Sequence, residues 1–468
     1  EKIELGIDLD KPGRVWVNCT SIQKIRELLK QNMDEIVKQS TSDEAGEESN
    51  EKDDQTVIES RWAAASAEHN LKTLKKLVTN TARNQFTELW DEENENYTLD
   101  RKRQGELAQA AAIERQGTLR AKPEAGKEFL EKWTANFSAC RTRPDLDEVE
   151  RIINGTPTGI RPGPDGVPSI AIKQQCNILA PIFLEAWDEF TAGKKKTEAH
   201  MTHRTWILAP KVDNAKTLDK LRDIELPNEI RKVFERMLAL LLDEVCQTQL
   251  SKAQQGFISG REITRNTIKM LNAFATAKEE AEKNPAFEKL SLFLLADCSK
   301  GFNNSDPNWL NECLEAAKTP SDILNVVDAF SLNEPILSLD GIEFDPVRLI
   351  SGLCQGGPAS GILFEISVDP LLMTLEQLEG VVRRPMRTKA ADGRVGEREE
   401  AVVSGFVDDW SVEFEGPRAL NMGLTKIATF EIASGQRMNR EKTVIVPARK
   451  LTKAEEQACR AEWKAIKI

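Results

Sequence analysis

Two adjacent acids interrupt an apolar run near the C-terminal end: Val402-Val403-Ser404-Gly405-Phe406-Val407-Asp408-Asp409-Trp410-Ser411-Val412. Strand-like segments on both sides of a polar pair predict a β-hairpin with both carboxylates at its tip. Such a pair repels itself and adds no stability to a turn. It becomes favourable on sharing divalent cations, because hard oxygen ligands suit Mg²⁺, which keeps its other positions for water and phosphates. Alone, the pair describes a solvated acidic turn at least as well. Upstream, Leu290-Ser291-Leu292-Phe293-Leu294-Leu295-Ala296 ends at Asp297. A short apolar run closed by an acid predicts a buried central strand that delivers a carboxylate at its C-terminal end. Asp297 is then the third acid of a two-metal site, where ions about 3.5–4 Å apart clamp the attacking and leaving oxygens of a phosphoryl transfer. Between these segments, Ser351-Gly352-Leu353-Cys354-Gln355-Gly356-Gly357-Pro358 is a glycine-rich turn leading into a helical pattern of Ile362, Leu363, Phe364, Ile366 and Val368. Glycines at a helix entrance let a ligand approach the backbone, and the N–H groups there favour anions such as a triphosphate.

The elements that must position these groups alternate between helical and strand-like patterns. Val15-Trp16-Val17 reads as a short strand, Ser21 to Lys38 as a helix, and Thr41–Asp54 as an acidic, disordered linker. Glu59 to Gln116 reads as polar helices interrupted at Asp91–Leu99, and Glu128–Cys140 repeats Phe129, Trp133 and Phe137 at helical spacing. Pro227 opens an amphipathic helix with Ile230, Val233, Phe234, Met237, Leu238 and Leu241, most simply core packing. Ile263–Ala281 is a second long helix, Arg383–Glu399 a projecting loop, and Met422–Ser434 a helix closed by Gly435 as its C-cap. The expected fold is α+β, with residues 1–125 a mostly helical extension and the motifs of 126–468 falling between about 161 and 446.

Seven ordered blocks of the chain resemble reverse transcriptases, most closely those of non-LTR (LINE-type) retrotransposons. Arg161-Pro162-Gly163-Pro164-Asp165-Gly166-Val167-Pro168 is similar to that family's "PGPDGIP". Trp206-Ile207-Leu208-Ala209-Pro210-Lys211 with Leu221-Arg222-Asp223-Ile224 resembles "I-x-L-x-PK … YRPI", and Gln254-Gln255-Gly256-Phe257-Ile258-Ser259-Gly260-Arg261 resembles "Q-x-GF-x-x-GR". Asp297-Cys298-Ser299-Lys300-Gly301-Phe302 is similar to "D-x-x-KAF", Gln355-Gly356-Gly357-Pro358 to "QGSP", and Phe406-Val407-Asp408-Asp409 to "YADD". Ser434-Gly435-Gln436-Arg437-Met438-Asn439-Arg440-Glu441-Lys442-Thr443 is similar to "SGLKIN-x-x-KT".

The resemblance implies a right-hand polymerase over residues 126–468, its palm an antiparallel sheet backed by helices with the fingers interleaved, acting as an RNA-directed DNA polymerase. Asp297, Asp408 and Asp409 would hold two Mg²⁺ ions (Mn²⁺ substituting) that activate the primer 3′-hydroxyl and neutralise the triphosphate. Lys211 and Arg222 would meet the triphosphate, Arg by its fork and Lys as a point charge. Phe302 falls where the family keeps an aromatic ring under the incoming sugar and would exclude a 2′-hydroxyl. Gln355 and Gly356 would line the nucleotide pocket, and Lys442 would donate a proton to the departing pyrophosphate. The implied partners are an RNA template, a DNA primer or nicked target DNA, and dNTPs, met inside the cell in cytoplasm or nucleus. An RNA-dependent RNA polymerase, a decayed RNA-binding remnant and a two-metal nuclease are the other readings. Phe302, the retained acids and the Gln355-Gly356 block argue against them in turn.

Departures from the pattern are Gly301 for Ala, Asn303 for a frequent Asp, Gly357 for Ser, Asp223 for the Pro of "RPI", and Phe406-Val407 for Tyr-Ala. None removes a metal-ligating carboxylate. Beyond Lys442 no primer-grip segment or helical thumb is recognisable, and no endonuclease domain precedes, so the expectation is a fragment of a longer reading frame.

Composition sets bounds. With 468 residues the chain is long enough for two or three domains, and at a mean hydropathy of −0.45 no run suggests a membrane span. Eight cysteines without a C-x-x-C pair predict thiols in a reducing compartment, and His200 with His203 reads as a surface loop. A net charge of −12 is unusual for a nucleic-acid enzyme, but much of the acid precedes the motifs. Basic clusters at Arg383-Arg384, Arg387, Lys389, Arg394, Arg398 and at Arg437, Arg440, Lys442, Arg449, Lys450 are candidates for phosphate contact.

Overall fold

The structure is a computed structural model and describes residues 86–159, 161–193, 199–389 and 395–463. The strand at Val15–Val17, the helix from Ser21 and the acidic linker lie outside the described residues. The architecture is mixed α+β. Its two four-stranded sheets use β1 (His203–Pro210), β2 (Leu221–Pro227), β3 (Ser291–Asp297), β4 (Glu334–Leu339), β5 (Ile342–Glu343), β6 (Val403–Phe406), β7 (Asp409–Glu415) and β8 (Val444–Pro447). One sheet has the order β6-β7-β3-β8 and is antiparallel throughout; the other has the order β2-β1-β4-β5, with β1 and β4 parallel. The helices that matter to the site are α1 (Arg101–Gln116), α2 (Cys176–Thr191), α3 (Glu229–Gln249), α4 (Ile263–Lys283), α5 (Ser360–Gln377) and α6 (Gly416–Ser434).

β3 is central, and its unbroken apolar run follows from cover on both faces. Leu292, Leu294 and Ala296 enter the main core with residues of α2, α3, α5 and α6. Phe293 points the other way, into a small cluster with Ala273 and Ala277 of α4, and stacks on Phe274 at 3.9 Å. α5 is buried along nearly its whole length, the condition for a helix apolar all round. α3 ends under Arg261, whose guanidinium donates to the carbonyls of Cys246, Gln247, Leu250, Ser251 and Gln254 and so satisfies the helix's open end.

The second sheet has its own core of Trp206, Leu208, Leu221, Leu337 and Leu339, shared with Ala108 and Ala112 of α1. α1 starts at Asp100, whose carboxylate accepts from the Lys102 N–H. A Cβ at Gly105 would lie 2.0 Å from the Phe344 ring, so a side chain there would displace that ring from α1.

Two expected elements differ. Arg383–Glu399 is no loop but a hairpin of strands Arg383–Lys389 and Val395–Ala401. The interruption expected at Asp91–Leu99 is present, as a hairpin of Leu89–Asp91 with Asn96–Thr98 ahead of α1. The helix begun at Lys127 stops at Lys132. Trp133 and Phe137 are buried beyond its end because the indole N–H donates to Asp369 (2.7 Å) and the Phe137 N–H donates to the Ala317 carbonyl. Gly435 closes α6 in the left-handed conformation, φ +76°.

Candidate active site

Strand register brings the acids together. β7 runs antiparallel to β3 with Asp409 directly opposite Asp297, and Asp408 is the residue before it. The hairpin tip therefore differs from the symmetrical one expected: Val407 and Asp408 form the turn, while Asp409 already belongs to the ladder. The backbone around the turn is pinned. The Cys298 N–H donates to the Asp408 carbonyl at 3.0 Å, and the Asn439 N–H donates to the Asp297 carbonyl at 2.7 Å.

Val407 sits at φ +59°, a left-handed conformation that a β-branched residue adopts only under constraint. The constraint is Gln254, which is fully buried. Its side-chain oxygen accepts from the N–H groups of Val407 (3.3 Å), Gln255 (3.0 Å) and Gly256 (3.0 Å), while the Val407 carbonyl accepts from the Trp410 indole at 3.2 Å. Gln254 is a residue whose role the sequence did not disclose, although it opens one of the resembling blocks.

Burial raises the pKa of Asp408, with Asp409 and Asp297 adding repulsion, and burial with Asp297 raises that of Asp409. The Lys442 ammonium lies 3.2 Å from each oxygen of Asp297, a cation already held at the carboxylates. Among the described residues no three His, Cys, Asp or Glu side chains close around one point as a ready-made metal cage. Mg²⁺ needs no such cage, since one or two carboxylates plus substrate phosphates hold it. Three self-repelling acids, open to solvent on one side, fit cations that arrive with phosphates.

Other predicted residues approach from two directions. Lys211 follows β1 and its Nζ donates to the Asp219 carbonyl at 3.2 Å; burial lowers its pKa, as do the nearby charges of Lys442 and Arg222. Arg222 is exposed on β2, opposite Ala209. On the other side, Phe302 stacks on Phe364 with centroids 4.9 Å apart, and Phe257 meets it edge-on at 6.2 Å. A Cβ at Gly301 would lie 3.5 Å from the Cβ of Asp408, which puts this turn against the acids. The Gln355 carbonyl accepts from the Glu225 N–H at 3.1 Å. Gly356 has φ +137°, and a Cβ there would meet the Glu225 carbonyl at 2.3 Å, so the turn crosses β2 only as glycine. The Glu225 side chain is itself fixed by the buried Arg204 at 2.8 Å.

The basic clusters are more committed than expected. Arg384 is buried against Glu413 and Glu280, Arg398 donates to Glu400, Arg440 pairs with Glu431 and Arg449 with Glu455. The seven described cysteines are all buried; Cys298, beside Asp297, has its thiol pushed up to about 12 by burial, which removes it as a nucleophile.

Residues 209–455 match the family model described as reverse transcriptase (RNA-dependent DNA polymerase). The chain is 25% identical over 269 residues to a Transposon TX1 uncharacterized 149 kDa protein of Xenopus laevis, covering 56% of this chain and 19% of that protein. It is 23% identical over 242 residues to a retrovirus-related Pol polyprotein from type-1 retrotransposable element R2 of Popillia japonica, covering 51% of this chain and 31% of that protein. The chain thus spans less than a third of either relative. It belongs to the reverse transcriptase (RNA-dependent DNA polymerase) family, and its similarities lie with non-LTR retrotransposon elements.

Proposed function

We propose that the chain is the RNA-directed DNA polymerase of a non-LTR retrotransposon, extending a primer 3′-hydroxyl with dNTPs on an RNA template by two-metal phosphoryl transfer. The β6-β7-β3-β8 sheet with α5 and α6 is then the palm. The β1–β2 hairpin belongs to the fingers, interleaved with the palm in residues 126–468, and residues 1–125 are an extension. The observation that carries the reading is the register setting Asp409 opposite Asp297 with Asp408 beside them.

Mg²⁺ or Mn²⁺ bound at the three carboxylates would lower the pKa of the primer hydroxyl and offset the triphosphate's charge. The chain's residues do the rest. Lys211 and Arg222 bind phosphate oxygens and align the triphosphate. Phe302, held by its stack on Phe364, crowds the position of a ribose 2′-hydroxyl. Gln355 and Gly356 bring backbone close to the new base pair. The Lys442 ammonium, held beside Asp297, would be available to protonate the departing pyrophosphate. RNA template, primer or nicked target DNA and dNTPs are the partners of this reading, met inside the cell.

The test is primer extension on an RNA template with Mg²⁺ or Mn²⁺, comparing dNTPs with rNTPs and wild type with Asp297→Asn. DNA synthesis that disappears in the variant is the expected result. Synthesis from rNTPs at the dNTP rate would instead indicate an RNA polymerase.

A further inference from the structure

A second charged centre lies beside the acids, around Asp223 on β2. Its carboxylate is approached from four directions: by the Trp206 indole N–H (3.2 Å), the Asn303 amide (3.3 Å), Arg115 (3.6 Å) and Lys300 (3.9 Å). Asp223 and Asn303 both depart from the family pattern, which has Pro and frequently Asp at those places. Here the two departures meet in one hydrogen bond, from the Asn303 amide to the Asp223 carboxylate.

This carboxylate is outnumbered. Arg115 and Lys300 flank it, Lys211 lies within electrostatic range of Lys300, and Arg222 within range of Lys211. Arg115, Lys300 and Lys211 thus gather near Asp223 and Asp219, with Arg222 beyond Lys211 and Lys220 on Asp219. Glu114 and Arg120 lie within range of Arg115, and the chain of charges continues through Lys442 to Asp297. Arg115 and Lys300 are only about a fifth exposed, at 21% and 18%. Surplus positive charge in so shielded a place is unfavourable until an anion enters.

Arg115 is fixed there by its neighbour. The Gln116 carbonyl accepts from the Ile350 and Ser351 N–H groups (3.0 and 3.2 Å), its amide donates to the Ser351 carbonyl (3.1 Å), and its side-chain oxygen accepts from Asn303 (3.2 Å). The end of α1 is thereby tied to the loop that leads into Gln355, although α1 precedes the segment that matches the family.

We propose that Arg115 and Lys300 bind phosphate oxygens of the incoming nucleotide's triphosphate together with Lys211 and Arg222, and that Asp223 is a positioning residue that holds both cations until the anion arrives. The proposal rests on the polymerase reading. It makes the helix ahead of the family-matched segment part of the nucleotide site.

The experiment uses the full chain as wild type, Arg115→Gln, Arg115→Lys and Lys300→Gln. It has two readouts: binding of inorganic tripolyphosphate by calorimetry, and the dNTP KM, kcat and primer–template Kd in extension. The expected result is about tenfold weaker tripolyphosphate binding and about tenfold higher dNTP KM in both Gln variants. The kcat and primer–template Kd should stay within about twofold, and Arg115→Lys should recover part of the loss. Unchanged tripolyphosphate binding in both Gln variants, or no binding by wild type, would overturn the proposal. So would a loss confined to primer–template affinity, which would make these residues nucleic-acid contacts. Should the wild type extend no primer while tripolyphosphate binding still falls in the variants, the anion site stands and the polymerase reading fails.

Discussion

The two four-stranded sheets hold charge in opposite ways. In the β6-β7-β3-β8 sheet the acids are placed by backbone: Asp297 and Asp409 are register partners, and main-chain hydrogen bonds fix the carbonyls of Asp297 and Asp408. Beside the β2-β1-β4-β5 sheet the cations are placed by side chains: Arg115 from α1, Lys300 from the turn after β3 and Lys211 from the segment after β1 lie in range of Asp223, with Arg222 beyond Lys211. Short carboxylates that must share ions need backbone precision, whereas long cationic side chains can follow a phosphate. The first arrangement is stiff and sensitive to its support; the second tolerates movement and has several contributors.

That contrast can be broken at its support. Gln254→Leu removes the acceptor for three N–H groups and frees the turn at Val407. It should cost about 3 kcal/mol of stability by urea unfolding. It should also lower kcat about a hundredfold with the dNTP KM little changed, because the acids shift by a fraction of an ångström. Near-normal kcat in a folded Gln254→Leu protein would show that the turn holds itself.

The sugar side is expected to respond less. Phe302→Ala should reduce discrimination against rNTPs by about tenfold in competitive extension, with dNTP incorporation retained, since the ring packs on Phe364 rather than on the acids. Unchanged selectivity would place the gate elsewhere.

The smallest effect concerns pH. Asp408 and Asp409 titrate above the ordinary aspartate range, so without metal the folded chain holds their protons more tightly than the unfolded chain does. Their contribution is present below the unfolded pKa and is lost as pH rises through the folded values, leaving the ionised pair as a cost at neutral pH. Asp408→Asn should therefore raise the urea midpoint at pH 7 in the absence of divalent ions, and that gain should shrink toward pH 4. A midpoint lowered at pH 7 would contradict this electrostatic picture.

Much of this was legible in the sequence because the acids sit on strong local patterns. The run Leu290–Ala296 marks β3, and Phe406-Val407-Asp408-Asp409 marks the hairpin. The register between them was not legible, since it depends on a pairing across more than a hundred residues of intervening chain. The role of α1 was hidden for another reason: its buried face is Gln104, Gly105, Ala108, Ala112 and Gln116, small and polar residues that make no apolar stripe. The Arg383–Ala401 hairpin escaped because charges replace apolar alternation in its strands, with Arg384 opposite Glu400 and Met386 opposite Arg398.

Whether Asp297, Asp408 and Asp409 act as one ligand set can be read from single-turnover primer extension with Asp408→Ala against wild type in Mg²⁺ and in Mn²⁺. A shared ligand set requires at least about a thousandfold loss in either metal with the variant still folded by circular dichroism. Extension by folded Asp408→Ala at the wild-type rate would contradict it.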